Sequence, residues 1–312
     1  MKKLRSIFFL ISIVLVLAAC NSSSAEDKKI RIGYQKGATT LLLKNNGDLE
    51  KELNDLGYKV EWSEFNTASS ILEALNAGAI DIANGGDAPS VMAITKGMNF
   101  NYIAAEQSAP QAEGILVKNN DSITTIEDLK GKKVAYNKAS IAEYLLATVL
   151  ESVNLTLDDV ESVILSPADA SVAFEKGEVD AWVTWDPFMT VSEQKGNTIL
   201  TTAEGILNYR SFYFASNNLV DHHPEVAKAY VDHVIEIGAG IDQDPTDAAN
   251  ILEENTGIEA AVWVTALNRK SSAPTYIDNT VLEDLQQLSD DLHKINLLEQ
   301  PVGDFTDYIW QP

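Results

Sequence analysis

The chain has 312 residues, 45% of them hydrophobic, and carries 46 acidic against 23 basic residues for a net charge of −23. That length is enough for two compact lobes, each with its own core. So acidic a composition argues against nucleic acid as a partner, since phosphate contacts need clustered Lys and Arg, and it means that an anionic ligand must find positive potential supplied locally against the field of the whole chain.

Lys2, Lys3 and Arg5 precede an apolar run from Ile7 to Ala19 that only Ser12 interrupts. A hydrocarbon core needs about 20 apolar residues to be crossed, so this shorter run reads as a secretory signal over residues 1–19. Its end, Leu17-Ala18-Ala19-Cys20, resembles the bacterial lipobox, which implies acylation of Cys20 as the new N-terminus after cleavage. Cys20 is the single cysteine of the chain and has no disulfide partner or companion for a metal site. Residues 20–27 are small and polar and are expected to form a tether, holding the folded body close to a membrane partner. The expected location is extracytoplasmic, lipid-anchored to the bacterial cell membrane.

From Lys28 onward short β-like runs alternate with amphipathic segments of helical length, the pattern of an open α/β sheet. Ile30–Tyr34 predicts a first strand and Thr39–Leu56 one helix ending before Gly57. Lys59–Phe65 alternates as a strand, Ser69–Ala77 reads as a helix, and Ile80–Ala83 as a strand leading into Gly85-Gly86-Asp87. Ala88-Pro89 opens a further helix, with the proline where its missing N–H costs nothing. Phe100–Ala105 and Gly114–Lys118 are strands. A second series follows the polar turn Asn119–Ser122: a short helix at Thr125–Leu129 with a cap-like threonine, a strand at Lys133–Tyr136, and a helix at Ile141–Val153. Val163–Leu165, Ala168–Glu175 and Val179–Thr184 continue the alternation, and Phe212–Ser216 predicts a strand that returns the chain to the first lobe. Helices are expected at Pro224–Ile241, Asp244–Glu254, Glu259–Asn268 and Asn279–Ile295. Two lobes joined by strand-like crossings, with no low-complexity linker between them, suggest a hinge that closes on a ligand.

The segments Gly33-Tyr34-Gln35-Lys36, Gly86-Asp87-Ala88-Pro89, Ala104-Ala105-Glu106, Asp128–Ala135 and Ala181–Phe188 together resemble the aliphatic sulfonate-binding proteins of ABC importers. Gly-Asp-Ala-Pro and Trp-Asp-Pro-Phe are the more specific of these, whereas Asp-Leu-Lys-Gly-Lys is common to a broader class that includes binding proteins for taurine, nitrate and pyrimidine precursors. The resemblance implies a two-lobed type II periplasmic-binding-protein fold, each lobe a mixed sheet flanked by helices. Residues 28–115 and 217–312 would form one lobe and 116–216 the other, with the ligand in the cleft between them. It further implies a small organic anion as ligand, an alkanesulfonate by preference, and an ABC importer permease as partner; a monomer is the natural expectation for a protein that must dock and release, and no cofactor is expected. Taurine, nitrate or a thiamine pyrimidine precursor are the alternative ligands, and an enzyme on the same scaffold is the alternative of a different class.

Three strand-to-helix turns are candidate binding elements: Gln35 through Thr39, Asp87 through Pro89, and Ala139 through Ile141. Each helix start offers free N–H donors and roughly half a positive charge, and a sulfonate presents three acceptor oxygens to meet them. Gln35, Thr39 and Ser140 add side-chain donors, Asp87 and Ala88 sit at the second turn, and Trp185 provides an apolar wall. Trp182 lies on the opposite face if the run is a strand. Asp186 is expected to cap a turn or meet a cationic tail group. Where the family commonly has a Gly-Ser-Asn or Gly-Ser-Ser stretch, this chain reads Ala139-Ser140-Ile141, which removes a polar side chain and a flexible glycine. Lys36, Lys138 and Arg269 are the nearest cations. No phosphate loop, zinc helix or nucleophile elbow occurs in the sequence, and its four histidines lack the spacing of metal ligands.

Overall fold

Lys28–Gln35 forms β1, whose apolar residues Ile30 and Ile32 are buried in the core of the first lobe. The computed structural model describes residues 28–119 and 122–312, so the expected signal at 1–19, Cys20 and the tether at 20–27 lie outside the described residues. From β1 the chain passes through α1 (Thr39–Asn46), α2 (Asp48–Asp55), β2 (Tyr58–Phe65), α3 (Ala68–Asn76), β3 (Ile82–Gly86), α4 (Asp87–Thr95) and β4 (Asn101–Ala105). Next come β5 (Glu113–Val117), β6 (Lys133–Tyr136), α5 (Ile141–Ser152), β7 (Glu161–Ile164), α6 (Pro167–Glu175), β8 (Ala181–Trp185), α7 (Phe188–Gln194) and β9 (Thr198–Thr202). After β10 (Ser211–Ala215) follow α8 (Asn217–His222), α9 (Pro224–Gln243), α10 (Thr246–Thr256), α11 (Ala260–Leu267) and α12 (Asn279–Lys294).

One mixed sheet has the order β2-β1-β3-β10-β4 and the other β7-β6-β8-β5-β9. In the first, β1 pairs in parallel with β2 and β3, while β10 runs antiparallel between β3 and β4. The second repeats this plan: β6 is parallel to β7 and β8, and β5 is antiparallel between β8 and β9. The chain therefore changes sheets at residues 106–112 and again at 203–210. Both crossings precede the divisions expected at 115/116 and 216/217, because β5 pairs within the second sheet from Glu113 and β10 within the first from Ser211.

Two local expectations are corrected. Thr39–Leu56 is two helices: Gly47 adopts the left-handed conformation at φ 81°, and its N–H caps the Leu43 carbonyl at the end of α1. The Asn46 side chain then accepts from the Asp48 N–H at 2.9 Å and starts α2. The segment at Thr125–Leu129 is a short 3-10 turn over Glu127–Leu129. It is held by the Asp128 carboxylate, which accepts from the Thr124 and Thr125 N–H groups at 2.9 Å each, and not by a threonine cap.

The lobes touch on both flanks of the cleft. On one flank α7 packs on α11, and Arg269 reaches from the first lobe to Asp186 at 3.2 Å and to Glu193 in the second. On the other, α5 packs on α4, and Lys294 pairs with Glu151 at 3.0 Å. An apolar cluster runs across the contact, joining Ala88, Val91 and Met92 to Ile141 and Tyr144. Among the described residues no helix is long and apolar enough to cross a membrane.

Gly238 in α9 permits a close approach of the segment before α12: a Cβ there would lie 2.2 Å from the Ser272 carbonyl oxygen and 2.5 Å from the Ala273 Cα. Both obstacles are backbone, so neither can rotate away. Gly238→Ala is expected to destabilise the protein by about 3 kcal/mol in urea denaturation; Gly240→Ala, two residues on with nothing within 4 Å, is the control that should leave it unharmed.

Candidate functional site

Parallel strands β1, β3, β6 and β8 all end on the cleft side of their sheets, and each leads through a short turn into a helix. The turn after β1 holds Gln35, whose side-chain amide makes no hydrogen bond to the described residues. Gly37, at φ 89°, lies so close to Trp263 that a Cβ would sit 2.6 Å from the indole. At the start of α1 no side chain caps the helix, and the N–H groups of Thr39 and Thr40 point out of its first turn. The Thr39 hydroxyl donates to Glu106 at 3.3 Å.

The start of α5 is the counterpart in the second lobe. Ser140 occupies the N-cap position without a side-chain cap bond, because its hydroxyl donates to the Asn137 carbonyl at 2.5 Å. The N–H groups of Ile141, Ala142 and Glu143 are thereby left for another acceptor. Ala139 stands at φ 52°, a conformation that glycine adopts freely and alanine does not. The Glu143 carboxylate holds it there by accepting the Ala139 N–H at 2.7 Å.

The third helix start differs, since α4 uses up its own donors. The Asp87 N–H donates to the Arg210 carbonyl at 3.1 Å, the Ala88 N–H donates to the Asp87 carboxylate at 2.7 Å, and Pro89 has none. Asp87 is the first helical residue and Gly86 the N-cap, so the carboxylate is not a conventional cap. Its other oxygen accepts the Arg210 N–H at 2.9 Å, which fastens the second crossing to the start of α4. Burial pushes the Asp87 carboxyl up to about 7, against the opposing effect of these N–H donors.

Tyr209, on the second crossing, identifies the electrostatic centre of the cleft. Its hydroxyl makes no hydrogen bond to the described residues. Burial and the nearby carboxyl groups Glu113, Asp87, Glu106 and Asp186 push its ionisation well up. Two of those carboxyls come from the first sheet's side and two from the second, and Glu106 and Asp186 each have a cation beside them. Glu106 accepts from Lys270 at 2.8 Å and Tyr213 at 2.9 Å. Asp186 accepts from the Thr190 hydroxyl at 2.6 Å and from Arg269 at 3.2 Å. Burial raises the Asp186 carboxyl, opposed by Thr190 and Arg269. Asp186 thus caps the first turn of α7 and already holds a cation of its own chain.

Trp185 and Trp182 fall on opposite faces of β8. Trp182 is 1% exposed and packs in the second lobe's core with Phe174 and Phe188, at ring distances of 5.9 and 6.2 Å. Trp185 is half-buried and touches both the interlobe cluster and the second lobe's core. A cavity of about 310 Å³ opens beside Asp87, between residues 205–208, Arg210, Tyr144 and α12. Of the cations singled out by sequence, Lys36 pairs with the exposed Glu64 at 3.2 Å and Arg269 is engaged as above.

The structure therefore gathers Thr39, Asp87, Trp185 and Asp186 around one cleft, with Gln35 and Ser140 at turns on its rim. Tyr209, Glu106, Glu113, Arg210 and Lys270 were not predicted as site residues. Glu106 stood in a recognised segment, but nothing in the spacing of the others signals the crossing that brings them together.

Two mixed sheets of the same strand plan, joined by two crossings and presenting helix starts to a shared cleft, define a two-lobed solute-binding protein of the type II periplasmic class. The NMT1/THI5-like family matches residues 54–240, and the chain belongs to it. A protein of Escherichia coli K12 named for aliphatic sulfonate binding is 33% identical, over 96% of this chain and 93% of its own. The alkanesulfonate-binding protein of Xanthomonas axonopodis pv. citri, solved with MOPS bound, superposes with a TM-score of 0.83 at 29% identity, covering 93% of this chain and 100% of that one. A desulfurization enzyme is similar in fold, with a TM-score of 0.63 at 16% identity over 88% of this chain and 94% of that one.

The raised Asp87 carboxyl has a consequence for stability. Folding favours its protonated form, so its contribution is fullest in acid, below the unfolded value, and is lost as pH rises to about 7. Relative to Asp87→Asn, the wild type is expected to lose on the order of 2 kcal/mol of unfolding free energy between pH 5 and pH 7.5. Urea titrations at the two pH values check this, and parallel profiles for the two proteins would contradict it.

Proposed function

We propose that the protein captures a small organic anion, by preference an aliphatic sulfonate, between its lobes and delivers it to the permease of an ABC importer. The observation that carries this reading is the pair of uncapped helix starts, α1 in one lobe and α5 in the other, beside an indole wall. A sulfonate has three acceptor oxygens and no proton, and backbone N–H groups from two directions satisfy it without an arginine. Trp185 receives the tail. The names of the relatives support the choice of head group, and MOPS is itself a sulfonate. Acylation at Cys20 would hold a monomeric protein on the outer side of the membrane beside its permease. The ligand is released unaltered, in contrast to the substrate of an enzyme built on this scaffold.

The test is a thermal-shift panel in a sulfonate-free buffer: methane-, ethane- and hexanesulfonate, taurine, nitrate, sulfate and a thiamine pyrimidine precursor. An alkanesulfonate at about 100 times its dissociation constant should stabilise the fold by roughly 2.7 kcal/mol. A response to the pyrimidine precursor or nitrate alone would replace the sulfonate reading, and a ligand recovered chemically changed would replace binding with catalysis. Trp185→Ala is expected to weaken hexanesulfonate several-fold more than methanesulfonate. Equal losses for the two would make the indole scaffold and not wall.

A further inference from the structure

Glu113 opens β5 immediately after the first crossing and is 0% exposed. Among the described residues it is the one buried carboxyl group with neither oxygen in a hydrogen bond. An ionised carboxylate in that condition loses its hydration and gains nothing in return. The groups that face it offer no relief. Asp87, at the start of α4, is itself acidic, while Tyr144 on α5 and Tyr209 on the second crossing are neutral phenols that its charge would disturb. Burial, with Asp87 second, pushes the Glu113 carboxyl well up, toward its neutral form.

Its direction is set by the sheet. Glu113 is the register partner of Trp185 in the antiparallel pair of β5 and β8, so both side chains leave the same face. That face carries the half-buried indole toward α4 and α5. The carboxyl therefore stands among Trp185, Asp87 and the free hydroxyl of Tyr209, where the cleft has few donors left after α4 has used its own.

We propose that Glu113 donates a hydrogen bond from its unpartnered carboxyl to the ligand's anionic head group, taking the place an arginine would fill. The assignment rests on the sulfonate reading above and specifies it. It predicts preference for head groups that only accept hydrogen bonds, because a protonated carboxyl beside Asp87 gives a donor without adding negative charge. An ammonium-bearing ligand would draw on the opposite, ionised form.

Isothermal titration calorimetry at pH 7 in a sulfonate-free buffer separates these cases, using ethanesulfonate and taurine with wild type, Glu113→Gln and Glu113→Met. Gln keeps a donor of the same reach, so ethanesulfonate should bind within threefold of wild type. Met keeps the shape and removes the donor, so ethanesulfonate affinity should fall roughly tenfold to a hundredfold, while the melting temperature holds or rises because a buried polar group without a partner is gone. Three results overturn the inference alone: unchanged ethanesulfonate affinity in Glu113→Met, an equal loss in both variants, or a loss in Glu113→Gln confined to taurine, which would make the group an ionised acceptor for ammonium. If wild type binds neither compound, the sulfonate reading itself falls, and the role of Glu113 with it.

Discussion

An acidic protein that is to hold an anion must first silence its own carboxylates where the anion sits. Asp87, Glu106, Glu113 and Asp186 all act electrostatically on Tyr209, and left ionised together they would repel a sulfonate placed near it. Lys270 offsets Glu106 and Arg269 offsets Asp186, at 2.8 and 3.2 Å. Asp87 and Glu113 are instead shifted by burial toward the neutral form. Beside these groups stand the uncapped starts of α1 and α5, the latter with the Glu143 carboxylate in its first turn.

The same contacts couple the cleft to the relative position of the lobes. Asp186 belongs to the second lobe and its cation, Arg269, to the first, so separating the lobes leaves a largely buried carboxylate without that partner. At the crossings, the Asp87 carboxylate takes the Arg210 N–H of the second, and the Arg210 guanidinium donates to the Glu106 carbonyl on the first. Both chain crossings are thereby tied to the start of α4. The ligand proposed to bridge α1 and α5 would add a further link between the lobes.

Much of this was legible in the sequence. Alternation of strands and helices, glycines after helices and Pro89 at a helix start gave the α/β plan, and the return strand near Phe212 was read from its apolar pattern. Strand alternation also separated Trp182 from Trp185, and the structure puts the former in the core. The break at Gly47 was missed because the apolar stripe runs on across it, although Asn45-Asn46-Gly47 carried the signal. The donor inventory of each helix start was not legible. Ala88 and Ser140 look like open donors in sequence, but one N–H is taken by its neighbour's carboxylate and one hydroxyl by a local carbonyl. Those bonds depend on rotamers and on Arg210, more than a hundred residues away from Asp87 in the chain. Glu113 was hidden for a related reason: a glutamate at a strand start reads as surface until the fold closes over it.

The claim that a neutralised cleft presents an anion to the starts of α1 and α5 is tested most directly by a crystal structure of the protein with 2-bromoethanesulfonate, in which anomalous scattering locates head and tail separately. The account predicts sulfur beside the N–H groups of Thr39, Thr40 and Ile141–Glu143, with bromine against Trp185. Sulfur lodged in the cavity between residues 205–208, Arg210 and α12, or a reversed pose with bromine at the helix starts, would contradict it.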